Sequence, residues 1–267
     1  MSNDSSKPDP QEVIEAAPEK SRSGLPWGVM SAVVVLVVGF LTAQILSALL
    51  VSVYPQMRHW TSAHTNDWLT NSIIAQFVYV LISETILVGS LYAFIRWRKG
   101  SLHKLGVRKP RWIDGGYAGV GVLAYFGLYL IAITIVTAFV HINLDQQQDI
   151  GFTDPVGGVS LLLTFISLVI LPPLAEEFAF RGFLFTTLRG RFGVIAATLG
   201  TSALFAVPHL LESSGGGLLW IAGVDTFVLS FVLCFVRQKT GRLWAGIGIH
   251  MMKNGVAFLS LYVLHAH

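Results

Sequence analysis

The chain has 267 residues, of which 53% are hydrophobic and 12% are charged, and its mean hydropathy is +0.64. Soluble domains carry about 25% charged residues, so this composition excludes an ordinary soluble protein and predicts an all-α, polytopic transmembrane helical bundle. The single cysteine, Cys234, excludes a disulfide within the chain and a thiolate metal cluster.

Residues 1–26 are rich in Ser, Pro, Glu, Lys and Asp, and we expect them to form a disordered cytoplasmic tail. Residues 27–267 are expected to form a single transmembrane domain. Its apolar segments are each long enough to cross a bilayer, which takes about 20 helical residues. We predict seven spans, or eight if the fourth is divided: 27–53, 72–95, 114–142, 159–189, 193–211, 218–236 and 243–264.

The lysines and arginines predict the orientation of these spans. They lie in the tail and in the loops after spans two, four and six, whereas the opposite loops contain only Arg58. Because basic loops stay on the cytoplasmic side, we place the N-terminus in the cytoplasm. The pI near 9.1 then reflects contact with anionic membrane lipids and not with nucleic acid. The expected location is a bacterial plasma membrane, with the endoplasmic reticulum as the alternative.

The fourth span contains two prolines, Pro172 and Pro173, at which we expect the helix to kink or restart. Charged residues follow at once, although an ionised side chain inside a bilayer costs roughly 2.5 kcal/mol or more. The four-residue spacing of Glu177 and Arg181 predicts an ion pair on one helical face. Glu176 lies about 140° from Arg181 around the helix and is expected to face a cavity.

The alternative for the two glutamates is purely structural, with Arg181 and Lys253 as their counter-charges. Two more charges inside spans, Glu84 and Asp225, are interpreted as structural contacts. In this interpretation Lys253 neutralises Glu84 or Asp225.

Three further polar residues lie in later spans. His209 ends the fifth span, and His250 and Asn254 share one face of the seventh. Alone, His209 is better explained as a hydrogen-bonded structural residue, and the His250–Asn254 pair is explained equally well by an interhelical hydrogen bond. Together with Glu176 they supply a carboxylate and an imidazole that can take a proton from water, and donors for a developing oxyanion. The set predicts peptide hydrolysis without a covalent intermediate, because no G-x-S-x-G motif is present and Cys234 has no activating neighbour in sequence.

These motifs resemble those of a known family. The run Glu176–Arg181 is similar to the EExxxR motif of the CPBP family, which comprises type II CAAX prenyl endopeptidases and bacteriocin-processing or immunity proteins. Phe205–His209 resembles its FxxxH motif, and His250–Asn254 resembles its HxxxN motif. The resemblance covers about residues 159–260 and implies an intramembrane protease core of the CAAX endopeptidase type.

The resemblance also implies roles. Glu176 would act with His209 to activate water, and His250 with Asn254 would form the oxyanion hole. Glu177 and Arg181 would support the site. The substrate would be a peptide or protein, with or without a prenyl group, and no cofactor is expected.

Two alternatives stay open at this stage. One is a zinc-dependent endopeptidase that uses Glu176, His209 and His250 as ligands, since these residue types suit zinc. The other is a non-enzyme, such as a bacteriocin-immunity protein, a membrane scaffold or a transporter. The sequence does not predict the oligomeric state.

Overall fold

A computed structural model describes residues 24–139, 151–152, 155–211 and 217–264. Most of the predicted tail, residues 1–23, therefore lies outside the described residues, as does the end of the third predicted span. The described residues contain helices and turns and no strand. The fold is an all-α helical membrane bundle, as the composition predicts.

The structure consists of α-helices with three π-helical segments between or after them. In chain order they are α1 (Val29–Met57), α2 (Ser62–Asn71), α3 (Ile73–Trp97), α4 (Trp112–Phe139), α5 (Gly158–Phe165), the π-helical segment π1 (Ile166–Ile170), α6 (Leu171–Glu176), π2 (Glu177–Leu184), α7 (Phe185–His209), α8 (Trp220–Thr240), α9 (Trp244–Phe258) and π3 (Leu259–Val263).

The predicted boundary between spans four and five lies inside α7. Gly193 interrupts that helix with φ 83° and ψ 179°, a backbone conformation that is essentially restricted to glycine. The helical rod that begins at Gly158 therefore ends at this turn, and a second rod continues to His209. Counted this way, the described residues contain seven long rods, at the positions of the seven predicted spans.

In the part of the chain that the structure describes, five helices are long and apolar enough to cross a membrane when the two rods between Gly158 and His209 count as one. They differ in how deeply they lie in the bundle. The most apolar window of α4 is 6% buried inside the protein, whereas that of α8 is 61% buried. Helix α8 is therefore central, and α4 presents its large apolar side chains outward, as a helix in contact with lipid does.

The start of the described chain is packed against the rod that carries the charged motif. Trp27 is buried and its ring lies 5.4 Å from the ring of Phe183. Its indole N–H donates a 3.0 Å hydrogen bond to Thr187 Oγ1. A buried indole needs such an acceptor. These contacts hold α1 against π2 and α7, directly beside the charged residues.

Candidate active site

The double proline changes the register of its helix instead of ending it. Pro172 and Pro173 stand at the start of α6, directly after the π-helical turn π1. Proline has no backbone N–H, so it can begin a helical turn but cannot donate to the preceding one. The expected restart is thus present, and the rod continues through it.

The prolines leave one backbone carbonyl without a donor in its own helix. The carbonyl of Leu168 would accept from residue 172 in an α-helix and from residue 173 in a π-helix, and both are proline. Asn254 of α9 supplies the missing donor, because its Nδ2 lies 2.9 Å from the Leu168 oxygen. Asn254, which the sequence analysis proposes for the oxyanion hole, therefore also joins α9 to π1 through a hydrogen bond.

Glu177 and Arg181 form the predicted ion pair. Arg181 Nη1 lies 2.9 Å from Glu177 Oε1, and both side chains are fully buried. The guanidinium also lies over the ring of Phe205, 4.3 Å from its centroid, where the electron-rich face attracts a cation. The ring of the FxxxH motif thus helps to accommodate the arginine of the EExxxR motif.

His250 lies between the two glutamates, a contact that helical spacing did not predict. Its Nδ1 is 3.3 Å from Glu177 Oε1, and its Nε2 is 3.7 Å from Glu176 Oε2. A carboxylate only accepts hydrogen bonds, so Nδ1 carries the proton and Nε2 faces Glu176. Glu177 therefore orients His250 in addition to pairing with Arg181.

One signal for this contact was present in the sequence. Gly246 precedes His250 by four residues and lies on the same face of α9. A Cβ at position 246 would lie 2.7 Å from Glu177 Oε2, which is too close for any side chain. The glycine lets α9 approach Glu177 closely enough for His250 to reach it.

The hydrogen bond of His209 sets the direction of its ring. Its Nδ1 lies 2.9 Å from the carbonyl oxygen of Phe205, one turn earlier in α7. Because a carbonyl oxygen accepts, Nδ1 donates and the neutral ring keeps its lone pair on Nε2. His209 therefore presents a proton acceptor to the space in front of it.

The four residues predicted to be catalytic line one cavity of about 320 Å³. Glu176 is 23% exposed at its side chain, whereas Glu177 is fully buried behind it. The expected division of the pair, with one carboxylate bound to Arg181 and the other at a cavity, is thus observed. The cavity is lined by Leu168, Pro172, Glu176, Phe205, His209, Thr226, Leu229, His250, Lys253, Asn254, Ala257, Phe258, Leu261 and Tyr262.

Lys253 also lies on this cavity, which the sequence did not predict. Its ammonium is 2.8 Å from Asp225 Oδ2. Of the two carboxylates expected to pair with it, Glu84 and Asp225, Lys253 therefore neutralises Asp225. The hydroxyl of Tyr125 donates to the other oxygen of Asp225. These three residues join α4, α8 and α9 beside the cavity.

Glu84 and Cys234, which the sequence analysis does not assign to the site, lie elsewhere. Glu84 of α3 lines a separate, mostly apolar groove of about 490 Å³, on the side of α6 that carries Leu171 and Leu174. Cys234 is buried in the core and is not part of the cavity wall. Neither residue approaches the four predicted catalytic side chains closely enough to share their cavity.

The zinc alternative requires three ligands at one point. Among the residues that the structure describes, no group of three His, Cys, Asp or Glu side chains is placed to hold a metal ion. Glu176, His209 and His250 all lie within that part of the chain, so this trio is not gathered at metal-binding distances here.

The part of the chain that contains these side chains is similar to a known protein family. Residues 158–256 match the family model "Type II CAAX prenyl endopeptidase Rce1-like". The chain is 27% identical to an "Uncharacterized 24.3 kDa protein" of Escherichia coli over 192 residues, which are 68% of this chain and 80% of that protein.

A second relative is the "UPF0177 protein YxdF" of Lactococcus lactis subsp. lactis (strain IL1403). It is 25% identical over 175 residues, which are 63% of this chain and 88% of that protein. No solved structure shows significant similarity. The matched segment begins with α5 and ends within α9, so it contains every side chain of the proposed catalytic set. Over residues 158–256 the chain is similar to the Rce1-like family of type II CAAX prenyl endopeptidases.

Proposed function

We propose that the protein is an intramembrane endopeptidase in which Glu176 and His209 activate water for attack on a peptide bond. One observation carries the proposal: three separate helices bring a carboxylate, two imidazoles and an amide to the same cavity. The family match of this segment supports a protease. Polar and ionisable groups inside a membrane bundle cost free energy, and they mark functional sites in membrane proteins.

The first step is proton transfer from water. Glu176 accepts the proton, and the Nε2 lone pair of His209 holds the water in place, because its Nδ1–H is bound to the Phe205 carbonyl. The hydroxide formed attacks the carbonyl carbon of the substrate, and the carbonyl oxygen becomes an oxyanion.

The oxyanion is stabilised by α9. Asn254 has a second N–H besides the one bound to Leu168, and it donates to the oxyanion. His250 Nε2 lies 3.7 Å from Glu176 Oε2, within reach of the proton that Glu176 takes from water. Protonated His250 then donates to the oxyanion, while Glu177 stabilises its positive charge.

The last step breaks the C–N bond. The intermediate collapses to a carboxylic acid, and the proton taken from water passes to the leaving nitrogen, which departs as an amine. Glu177 and Arg181 touch no substrate atom in this scheme. They hold His250 and the helix that carries Glu176.

The proposal is tested with purified full-length protein in lipid nanodiscs. Farnesylated and unmodified C-terminal peptides are incubated with it, and the products are identified by mass spectrometry, with and without a chelator. Glu176→Gln is expected to lower the cleavage rate by at least about 10²-fold, since it removes the proton acceptor. The matched control is Glu84→Gln, which removes a carboxylate from α3 outside the cavity and should retain cleavage.

Cleavage by Glu176→Gln at the wild-type rate would overturn the proposal. Cleavage by the untreated protein that is lost with the chelator and restored by zinc would replace water activation by Glu176 and His209 with metal-assisted hydrolysis. Activity on the farnesylated peptide alone would identify the prenyl group as a part of the substrate.

A further inference from the structure

Arg237, in the last turn of α8, is a buried cation that no carboxylate of the described residues contacts. It is 7% exposed, and its Nε–H has no acceptor. Its two hydrogen bonds both come from Nη2, which donates to the Lys104 carbonyl at 3.3 Å and to Thr186 Oγ1 at 3.4 Å. Because a guanidinium has five N–H donors, the described residues leave most of these donors, and the charge itself, without a partner.

The backbone of the loop before α4 lies directly against this guanidinium. A Cβ at Gly106 would be 2.7 Å from Arg237 Cζ, which is too close for a side chain. The Gly106 carbonyl also accepts a 3.3 Å hydrogen bond from the Leu243 N–H. The loop therefore holds the guanidinium in place, but its backbone adds no counter-charge.

Two further arginines border the same end of α8. Arg189 of α7 donates a 2.6 Å hydrogen bond from Nη1 to Oε1 of Gln238, the residue after Arg237. Arg108 Nη1 would lie 3.7 Å from a Cβ at Gly241, whose N–H donates to the Arg237 carbonyl. The positive charges of Arg189 and Arg108 both act on Arg237 and repel it. These three residues are called the arginine cluster below.

The described part of the chain supplies little negative charge to the arginine cluster. Asp114, at the start of α4, lies 3.9 Å from Arg242 and accepts a hydrogen bond from the Arg111 N–H, so it pairs elsewhere. The C-terminal end of a helix carries about half a unit of negative charge, which offsets only a fraction of three guanidinium charges. Close cations with unused donors form a binding site for an anion.

The neighbouring tryptophans indicate the level of the cluster in the membrane. Trp244 is exposed, and its indole N–H donates a 2.6 Å hydrogen bond to the Arg108 carbonyl. Trp97 and Trp112, at the two ends of the loop that carries Arg108, are exposed as well. Tryptophans are enriched at the level of the lipid headgroups. At this level the bilayer itself supplies phosphate groups.

We propose that the arginine cluster binds a phosphate group, supplied by the headgroup of an anionic phospholipid. The planar fork of a guanidinium matches two phosphate oxygens with parallel N–H donors. None of the three arginines lines the catalytic cavity, and peptide cleavage is not a readout of the test. The proposal therefore stands or falls independently of the proposed function.

The test uses purified full-length protein in a neutral detergent after removal of bound lipid. Native mass spectrometry measures the Kd of phosphatidylglycerol and of phosphatidylcholine, whose ammonium neutralises its phosphate. Melting temperatures are measured with each lipid and with inorganic phosphate. We expect phosphatidylglycerol to bind at least about tenfold more tightly and to stabilise more, because it satisfies uncompensated donors.

Stabilisation by inorganic phosphate without a preference between the lipids would retain the phosphate site and overturn the lipid as its source. Equal or absent effects of all three ligands would overturn the proposal.

Substitutions locate the site. Arg189 and Arg108 are exposed, so Arg189→Gln and Arg108→Gln should fold, and each should weaken phosphatidylglycerol binding by about tenfold. Arg237→Gln should abolish the preference for this lipid. The matched control is Arg96→Gln, which removes an exposed arginine at the end of α3, outside the cluster. Equal weakening in all four variants would show diffuse attraction to basic loops and overturn the site.

A purely structural role for Arg237 predicts a different result. If its hydrogen bonds only hold the loop on α8, Arg237→Gln should lower the melting temperature equally with and without phosphatidylglycerol. Arg189→Gln and Arg108→Gln should then leave lipid binding unchanged, and that pattern would contradict the proposal. In the proposed site, Arg189→Gln relieves repulsion, so it should not lower the melting temperature of the lipid-free protein.

The N-terminal segment of the chain is the competing source of negative charge. A full-length variant replaces its five acidic residues by Asn or Gln, and an unchanged preference for phosphatidylglycerol would support the lipid site. A preference that appears only after these replacements would show that the segment occupies the cluster, and would overturn the proposal. The five residues are Asp4, Asp9, Glu12, Glu15 and Glu19.

Discussion

Glu176 and Glu177 are identical in chemistry and adjacent in sequence, yet they lie in different environments. Glu177 is fully buried and contacts Arg181 and His250, whereas Glu176 lines the cavity. A carboxylate enclosed by two partners in the core cannot contact a substrate, whereas one on a cavity wall can. The difference arises because residues one position apart point about 100° apart on a helix.

Two matched substitutions should separate these roles. Glu176→Gln is expected to lower cleavage with little change in melting temperature, because its side chain is at the cavity. Glu177→Gln leaves Arg181 buried without its counter-charge, which should cost about 3–5 kcal/mol and lower both stability and cleavage. Thermal unfolding in nanodiscs and peptide cleavage measure the two effects. Equal losses of stability in both variants would contradict this division.

Gly246 should be intolerant of a side chain. Gly246→Ala places a Cβ 2.7 Å from the carboxylate of Glu177, so α9 must move away or Glu177 must turn. We expect a loss of cleavage of about tenfold or more, since misplacing a catalytic group by about 1 Å is costly. Gly255→Ala on the same helix is the control, because its Cβ would make ordinary contact at 3.9 Å with Val169. Wild-type activity in Gly246→Ala would show that the approach of α9 is not required.

At the scale of helices, the main contact is the hydrogen bond by which Asn254 of α9 joins the rod that contains Pro172 and Pro173. The prolines remove two N–H donors, π1 widens the helix before them, and Asn254 takes the exposed carbonyl of Leu168. The sequence predicted a break at these prolines. It did not predict that a side chain of α9 would donate a hydrogen bond to the Leu168 carbonyl, because this contact joins residues 86 positions apart.

A double variant tests this hydrogen bond. Asn254→Leu removes the donor to the Leu168 carbonyl, and a buried unpaired acceptor costs about 1–3 kcal/mol. Adding Pro172→Ala returns a backbone N–H four residues after Leu168, so the melting temperature of the double variant should recover. Cleavage should stay low, because the donor to the oxyanion is still absent.

The single variant Pro172→Ala is the reference for that experiment. If Pro172→Ala raises the melting temperature of the wild type as much as that of Asn254→Leu, the carbonyl of Leu168 does not depend on Asn254. Recovery of cleavage together with stability would show that Asn254 acts through the helix alone and not on the oxyanion.

At the scale of the whole molecule, the site sits where the central helices meet. Helix α8, which is mostly buried, carries Asp225, and the adjoining α7 and α9 carry the histidines. The outer helices α1 and α4 expose large apolar side chains such as Leu49 and Val120. This arrangement suits a bilayer, in which lipid covers the outer surface and the polar groups are confined to the interior.

The orientation of the bundle is a prediction for the intact protein in its membrane. The Lys and Arg distribution predicts a cytoplasmic N-terminus. A green fluorescent protein fused after Lys99 should fluoresce, since that loop would be cytoplasmic. An alkaline phosphatase fused after Trp60 should be active, since that loop would be outside. The reverse pattern would invert the topology.

The sequence by itself determined the class of fold and most of the span boundaries. Long apolar segments must be helical in a bilayer because the lipid cannot satisfy backbone hydrogen bonds. Helical spacing also predicted the Glu177–Arg181 pair and the cavity-facing position of Glu176, because both depend on residues within one turn of each other. The motif spacing identified His209, His250 and Asn254 as candidates without showing how they meet.

Only the tertiary structure decided the contacts between helices that are distant in sequence. In the folded protein His250 lies between the two glutamates, and Asn254 donates a hydrogen bond to the Leu168 carbonyl. Lys253 lies on the cavity wall and contacts Asp225. No periodicity within one helix carries this information, because the rotation and approach of α9 depend on small residues such as Gly246 and on a helix register changed by Pro172 and Pro173. The physical reason is that side-chain direction is local to a helix, whereas the partner it meets is set by how the helices pack.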